Sequence, residues 1–154
     1  MVQGGTLRSR GAEISLNVPI TREINVTASG TLLDAEYLEL IEAGGVDRAG
    51  NRPQNVAEQV ADLVVTYSPR TLPITLVGSL RHNGDFYTET ANVTKVNAFT
   101  TFDAAVSWNA PFATVTLRGR NLTNEFYADW SGYASGLVFI GAPRSIELSL
   151  TRKF

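Results

Sequence analysis

A single histidine, His82, stands three residues before Asp85 in a chain well supplied with serine. Histidine, carboxylate and hydroxyl are the parts of a hydrolytic triad, but a triad also needs a nucleophile in a recognisable setting. No GxSxG elbow, HExxH helix or paired-carboxylate constellation occurs in the sequence. There is no cysteine, so neither a disulfide framework nor a thiolate metal site can be built. The reading is therefore a protein that is not an enzyme and that carries no metal and no cofactor. The sequons at Asn25, Asn92 and Asn121 read as accidental.

The elements that would position any site are strands. Ala12, Ile14, Leu16 and Val18 alternate with Glu13, Ser15 and Asn17 up to Pro19, which cannot donate to a sheet ladder and marks a turn. Ile24 to Leu32 repeats the pattern and completes a hairpin. Four further runs follow at 61–67, 74–81, 101–108 and 114–120, and a seventh alternates Ile146, Leu148 and Leu150 with Glu147, Ser149 and Thr151 near the chain end. Residues 34–55 read as a large loop, because Gly44, Gly45, Gly50 and Pro53 follow a stretch, AEYLELIEAG, that could form a helical turn.

Composition narrows the class. The chain has 154 residues, is 44% hydrophobic and 18% charged, and carries a net charge of −2. It is neither disordered nor, by charge, a binder of nucleic acid. No apolar run approaches the roughly 18 residues of a membrane helix. The first residues lack the apolar core of a secretory signal, so an export signal is expected to lie elsewhere.

Three further features point to a membrane barrel. Short turns at Pro19, Pro69 to Pro73 and Asn109 to Phe112 take turns with long loops at about 34–56, 83–98 and 124–141. Outer-membrane barrels show this asymmetry, with short periplasmic turns and longer external loops. The strand charges Glu13, Asp62, Arg81, Asp103, Arg118, Arg120, Glu147 and Lys153 all fall on the polar register. Tyr67 and Trp108 lie on the apolar register beside short turns, and Phe154 ends the chain at the same rim, as interfacial aromatics would. A soluble sandwich also alternates, but it explains neither the loop asymmetry nor the aromatic end. The expected fold is thus all-β, an antiparallel transmembrane β-barrel segment of about seven strands.

The segment RGRNLTNEFYADW, followed by GAPRSIELSLTRKF, resembles the C-terminal end of TonB-dependent outer-membrane receptors. The matching residues are Asn121, Leu122, Thr123, Tyr127, Gly141, Pro143, Arg144 and Phe154, and RSRGAEISLNVP near the start is similar to a receptor strand. Arg152 departs from the pattern, which has an aromatic there. The resemblance implies a barrel of about 22 strands, of which residues 1–154 would be the C-terminal portion, without plug domain or signal peptide. It also implies the outer membrane of a Gram-negative bacterium as location, with outer-membrane lipid as a partner. The implied function is energy-coupled uptake of a scarce solute, most often a ferric siderophore. The TonB system would be reached through N-terminal regions not in this chain, and the barrel-assembly machinery through the last strand.

The ligand contacts implied are Arg81, His82, Asp85 and Tyr87 near the fourth strand, Arg118, Arg120, Tyr127, Trp130 and Tyr133 around the sixth, and Arg144 before the last. Arginines beside aromatics suit an anionic, aromatic chelate. The bland alternative for each is an ion pair with Asp103 or Glu147, or packing within a loop. Runner-up functions are a passive porin-like channel and an outer-membrane barrel enzyme.

Overall fold

The structure is a computed structural model and describes residues 5–132 and 137–152. Its elements are β1 (Gly5–Pro19), β2 (Ile24–Glu42), β3 (Val46–Asp47), β4 (Gln59–Tyr67), β5 (Ile74–Asn83), β6 (Phe86–Tyr87), β7 (Lys95–Val96), β8 (Phe99–Asn109), β9 (Ala113–Arg120), β10 (Ala128–Ser131), β11 (Val138–Ile140) and β12 (Ser145–Arg152). One antiparallel meander runs β1-β2-β4-β5-β8-β9-β12, with β3 added to β2. The sheet is open: β1 pairs β2 alone and β12 pairs β9 alone among the described residues. This is the expected antiparallel segment, and its seven principal strands contain all seven sequence-derived runs.

The register makes the two faces continuous. Val18, Val26, Val65, Gly78, Ala104, Gly119 and Ile146 pair in succession across the whole sheet, and Tyr67, Leu76, Val106, Leu117 and Leu148 form the next row. On the other face Ser15, Ser29, Asp62, Arg81 and Thr101 pair in succession. The apolar side chains are uncovered: Ile14 is 58% exposed and Leu148 74%. Buried apolar residues are few among those described, namely Ala35, Phe86, Phe99, Ala110 and Ala113. A sandwich would bury the apolar face in a core, whereas a barrel wall leaves it to lipid. Tyr67 and Trp108 lie on that face beside the short turns, and the exposed Phe112 lies in the turn between β8 and β9. Phe154 lies outside the described residues.

Residues 34–42 depart from the sequence reading. They continue β2 as strand, with neither a helical turn nor a loop, and β1 starts at Gly5 to match. Helical propensity in AEYLELIEAG is worth only tenths of a kcal/mol per residue, and here both backbone edges are claimed. One edge pairs with β1 through Leu7↔Tyr37 and Arg10↔Asp34. On the other, Tyr37 N–H donates to Asn51 O, and Arg48 N–H to Leu40 O. Gly11 is required by this pairing, since a Cβ there would lie 2.4 Å from Leu32 O.

Candidate functional site

The polar face holds the site. Arg81 stands between Asp62 and Thr101 on neighbouring strands, and Arg118 between Ala105 and Glu147. Period two carries Arg118 and Arg120 to the same face one step apart. The Arg120 Nε lies 3.1 Å from Glu147 Oε1. Towards the long-loop rim a cavity of about 380 Å³ opens between Asp62, Arg81, Asp103, Arg120 and Tyr127.

Tyr127 is fixed from two sides. Its ring stacks on Phe99 at 4.2 Å between centroids and 25° between planes. Gly141 lies against its other side, so close that a Cβ there would be 2.1 Å from the ring. Burial raises the Tyr127 phenol above its ordinary pKa, and the charge of Asp129 adds to the shift.

The chain around Tyr127 is held by Asn121, which is buried and adopts φ 45°. Its Nδ2 donates to Glu125 O at 2.9 Å and Ala142 O at 3.0 Å, and its Oδ1 accepts from Glu125 N–H at 2.9 Å. Its own N–H donates to Asp103 Oδ1 at 2.8 Å, which ties the knot to the cavity wall. Asn124 Oδ1 accepts from Arg144 N–H. The NLTN and GAPR segments thus meet through backbone and amide contacts, which is a structural role for the residues that carried the family resemblance.

Arg81, Arg118, Arg120 and Tyr127 are brought to one polar face. The other sequence-derived candidates are not. His82 lies on the apolar register between Ala61 and Thr100, with Nδ1 at 2.9 Å from Thr100 Oγ1, on the face opposite Arg81. Asp85 is ion-paired with Arg52 at 3.0 Å and Lys95 at 3.1 Å, and Arg52 lies over the Tyr87 ring. Trp130 packs on Phe139 at 5.0 Å, and Arg144 is exposed beside β12. Tyr133 lies outside the described residues. Phe99, which the sequence reading passed over, had a signal: it is an aromatic in the polar register of Thr101 and Asp103. Arg52 had none, because its contacts with the carboxylate and carbonyl of Asp85 span 33 residues.

Two loop carboxylates give a pH dependence. Burial pushes Asp85 up, but hydrogen bonds from Lys95 and Arg52 outweigh it and hold the carboxyl below its usual range. Burial likewise raises Glu89, and is outweighed by hydrogen bonds from Thr88 and from the N–H groups of Thr94 and Val93. Depressed folded values mean that the stabilisation is complete above the unfolded values and is lost as pH falls through the folded ones. Order in residues 84–98 should hold from neutrality to about pH 5 and decline below about pH 4. Amide exchange at Val93 and Thr94, corrected for the intrinsic rate, measures it. A loss of protection already at pH 6 would count against this assignment.

Comparison with known proteins agrees with the geometry. The family model "TonB dependent receptor-like, beta-barrel" matches residues 1–122. The chain is 31% identical to the ferrichrome outer membrane transporter/phage receptor of Escherichia coli over 99% of its own length and 21% of that protein's. It is 27% identical to the ferrichrome receptor FcuA of Yersinia enterocolitica, over 97% of this chain and 20% of that one. Among solved structures, the siderophore receptor PiuA of Acinetobacter baumannii superposes with a TM-score of 0.81 at 27% identity, covering 95% of this chain and 22% of that one. The chain thus spans about a fifth of the length of these relatives. With its open meander, uncovered apolar face and polar inner wall, it belongs to the TonB-dependent receptor-like β-barrel family.

Proposed function

We propose that this chain is the C-terminal part of a larger outer-membrane receptor barrel, and that its polar face lines the path of a ferric siderophore taken up with energy from the TonB system. The observation that carries the reading is the cavity between Arg81, Asp103, Arg120 and Tyr127, placed on the lumen side at the long-loop rim. The guanidinium groups offer charge and hydrogen-bond donors to a chelate, and Tyr127 bounds the cavity beside them. Arg118 extends the same wall inward. His82 faces lipid on this reading, and Asp85 and Tyr87 serve loop packing. The relatives named above are transporters and receptors, and no residue here is given a catalytic role.

The unpaired edges of β1 and β12 support a barrel completed by further strands, since lipid cannot satisfy open backbone groups. Coupling to TonB would pass through regions N-terminal to this sequence, and the assembly machinery would engage the β12 end.

Uptake of radioactive iron supplied as ferrichrome or as a ferric catecholate, in iron-starved cells whose only receptor is the complete protein, tests the reading. Arg81→Ala and Tyr127→Ala should each lower uptake about tenfold, while Tyr67→Ala on the lipid face leaves it unchanged. A wild-type receptor that takes up neither chelate but passes small sugars without energy would favour the passive channel.

A further inference from the structure

Among the described residues, the densest set of side-chain hydrogen bonds lies outside the wall, in three loops at the long-loop rim: residues 43–58, residues 84–98, and a third described over 121–132 and 137–144. Between the first and second, Arg52 N–H donates to Asn92 Oδ1 at 2.7 Å, and Asn92 Nδ2 donates back to Arg52 O at 2.9 Å. The side-chain amide thereby pairs with a backbone residue as a neighbouring strand would. Asn51 Nδ2 donates to Thr90 O at 2.7 Å. The Arg52 side chain, 17% exposed, grips both the carboxylate and the carbonyl of Asp85.

The same device joins the first loop to the third. Ser131 N–H donates to Asn55 Oδ1 at 2.9 Å, and Asn55 Nδ2 donates to Ser131 O at 2.9 Å. Ser131 is fully buried, and its hydroxyl lies between Asn55 Oδ1 at 2.7 Å and Thr88 O of the second loop at 3.2 Å. Asn55 N–H closes the triangle by donating to Tyr87 O at 3.0 Å. Asn55 and Asn92 both adopt left-handed backbones, with φ of 61° and 55°. Asparagine is the side chain that tolerates this conformation and can also mimic a peptide.

We infer that these three loops form one body that opens as a unit, with Asn55 and Ser131 as positioning residues at its centre. Asn55 is bonded to the second loop through its N–H and to the third through its amide, so release of either neighbour removes a restraint on its left-handed backbone. Arg52 holds Asp85 and packs over Tyr87, whose carbonyl holds Asn55, whose amide holds Ser131. Members of such a shared network couple rather than add. Movement of the third loop, which carries Tyr127 over the cavity, is thereby felt in the other two. The coupling is a property of the loops themselves and does not depend on which solute the barrel carries.

Hydrogen exchange by mass spectrometry, on the complete receptor in detergent with no solute present, tests it. Asn92→Gly keeps the backbone conformation and deletes the amide. Among the described residues Asn92 hydrogen-bonds to the first loop and not to the third, yet residues 128–132 should exchange about tenfold faster relative to strand residues 74–83. Ser131→Ala should likewise speed exchange in residues 88–94 and 51–56. Asn92→Asp, which keeps the acceptor for Arg52 N–H, should restore part of the protection. Acceleration by Asn92→Gly confined to the first and second loops, with residues 128–132 unchanged, would overturn the inference. Because no solute is present, that result and the uptake result fail or succeed separately.

Discussion

Val106→Arg should destabilise the folded barrel by about 2 kcal/mol in lipid, while Ser107→Arg on the next residue should cost under about 1 kcal/mol. Val106 pairs with Leu76 and Leu117 in the middle of an apolar row, and Ser107 pairs with Thr75 and Thr116 on the polar face. A charge on the lipid side costs about 2–4 kcal/mol at the midplane and little near the interface. Val106 is one step above Trp108, whose aromatic marks the short-turn rim, so the lower end of that range applies. Ser107 gives up a hydroxyl contact of 2.8 Å with Thr116, but an arginine there extends into the lumen. Equilibrium folding of the complete barrel into lipid vesicles measures both variants. Equal destabilisation would mean that the faces are wrongly assigned.

Asn121→Leu is expected to release the segment that carries Tyr127 while leaving the strands folded. The substitution nearly preserves volume and strands two carbonyls and one N–H in a buried site. Each orphaned group costs about 1–3 kcal/mol, and the left-handed backbone at Asn121 adds a further penalty for a branched side chain. The sum is roughly 3 kcal/mol or more, which exceeds what a loop loses by opening to water, so local opening should win over global unfolding. Exchange at the Glu125 amide should rise about a hundredfold with β5 and β8 unchanged. Asn121→Asp keeps the acceptor for Glu125 N–H and should rise far less. Should Asn121→Leu leave Glu125 protected, the amide would not be what holds this segment.

The sequence reading and the structure part where a local preference meets a distant partner. Residues 35–44 look helical because their side chains are good helix formers, but β1 and the first long loop supply hydrogen bonds to both edges of that stretch. His82 is the opposite case. Its alternation with Leu80 assigns it to the apolar face, opposite its neighbour Arg81. Asp85 and Tyr87 looked free for a ligand because Arg52, which engages both, lies more than thirty residues away in sequence.

The chain by itself determined the two faces, the order of the strands, the asymmetry of turns and loops and the family motif at its end. These follow from a period of two, from turn residues and from local spacing, all of which are properties of neighbours in sequence. Only the tertiary structure decided that Tyr127 seats on Phe99 above Arg81 and Asp103, that β1 and β2 rise well past the apolar band, and that Asn55 clasps Ser131 from 76 residues away. Those contacts depend on which strand tops the register brings side by side, and register is settled by pairing across the whole sheet rather than within any one strand.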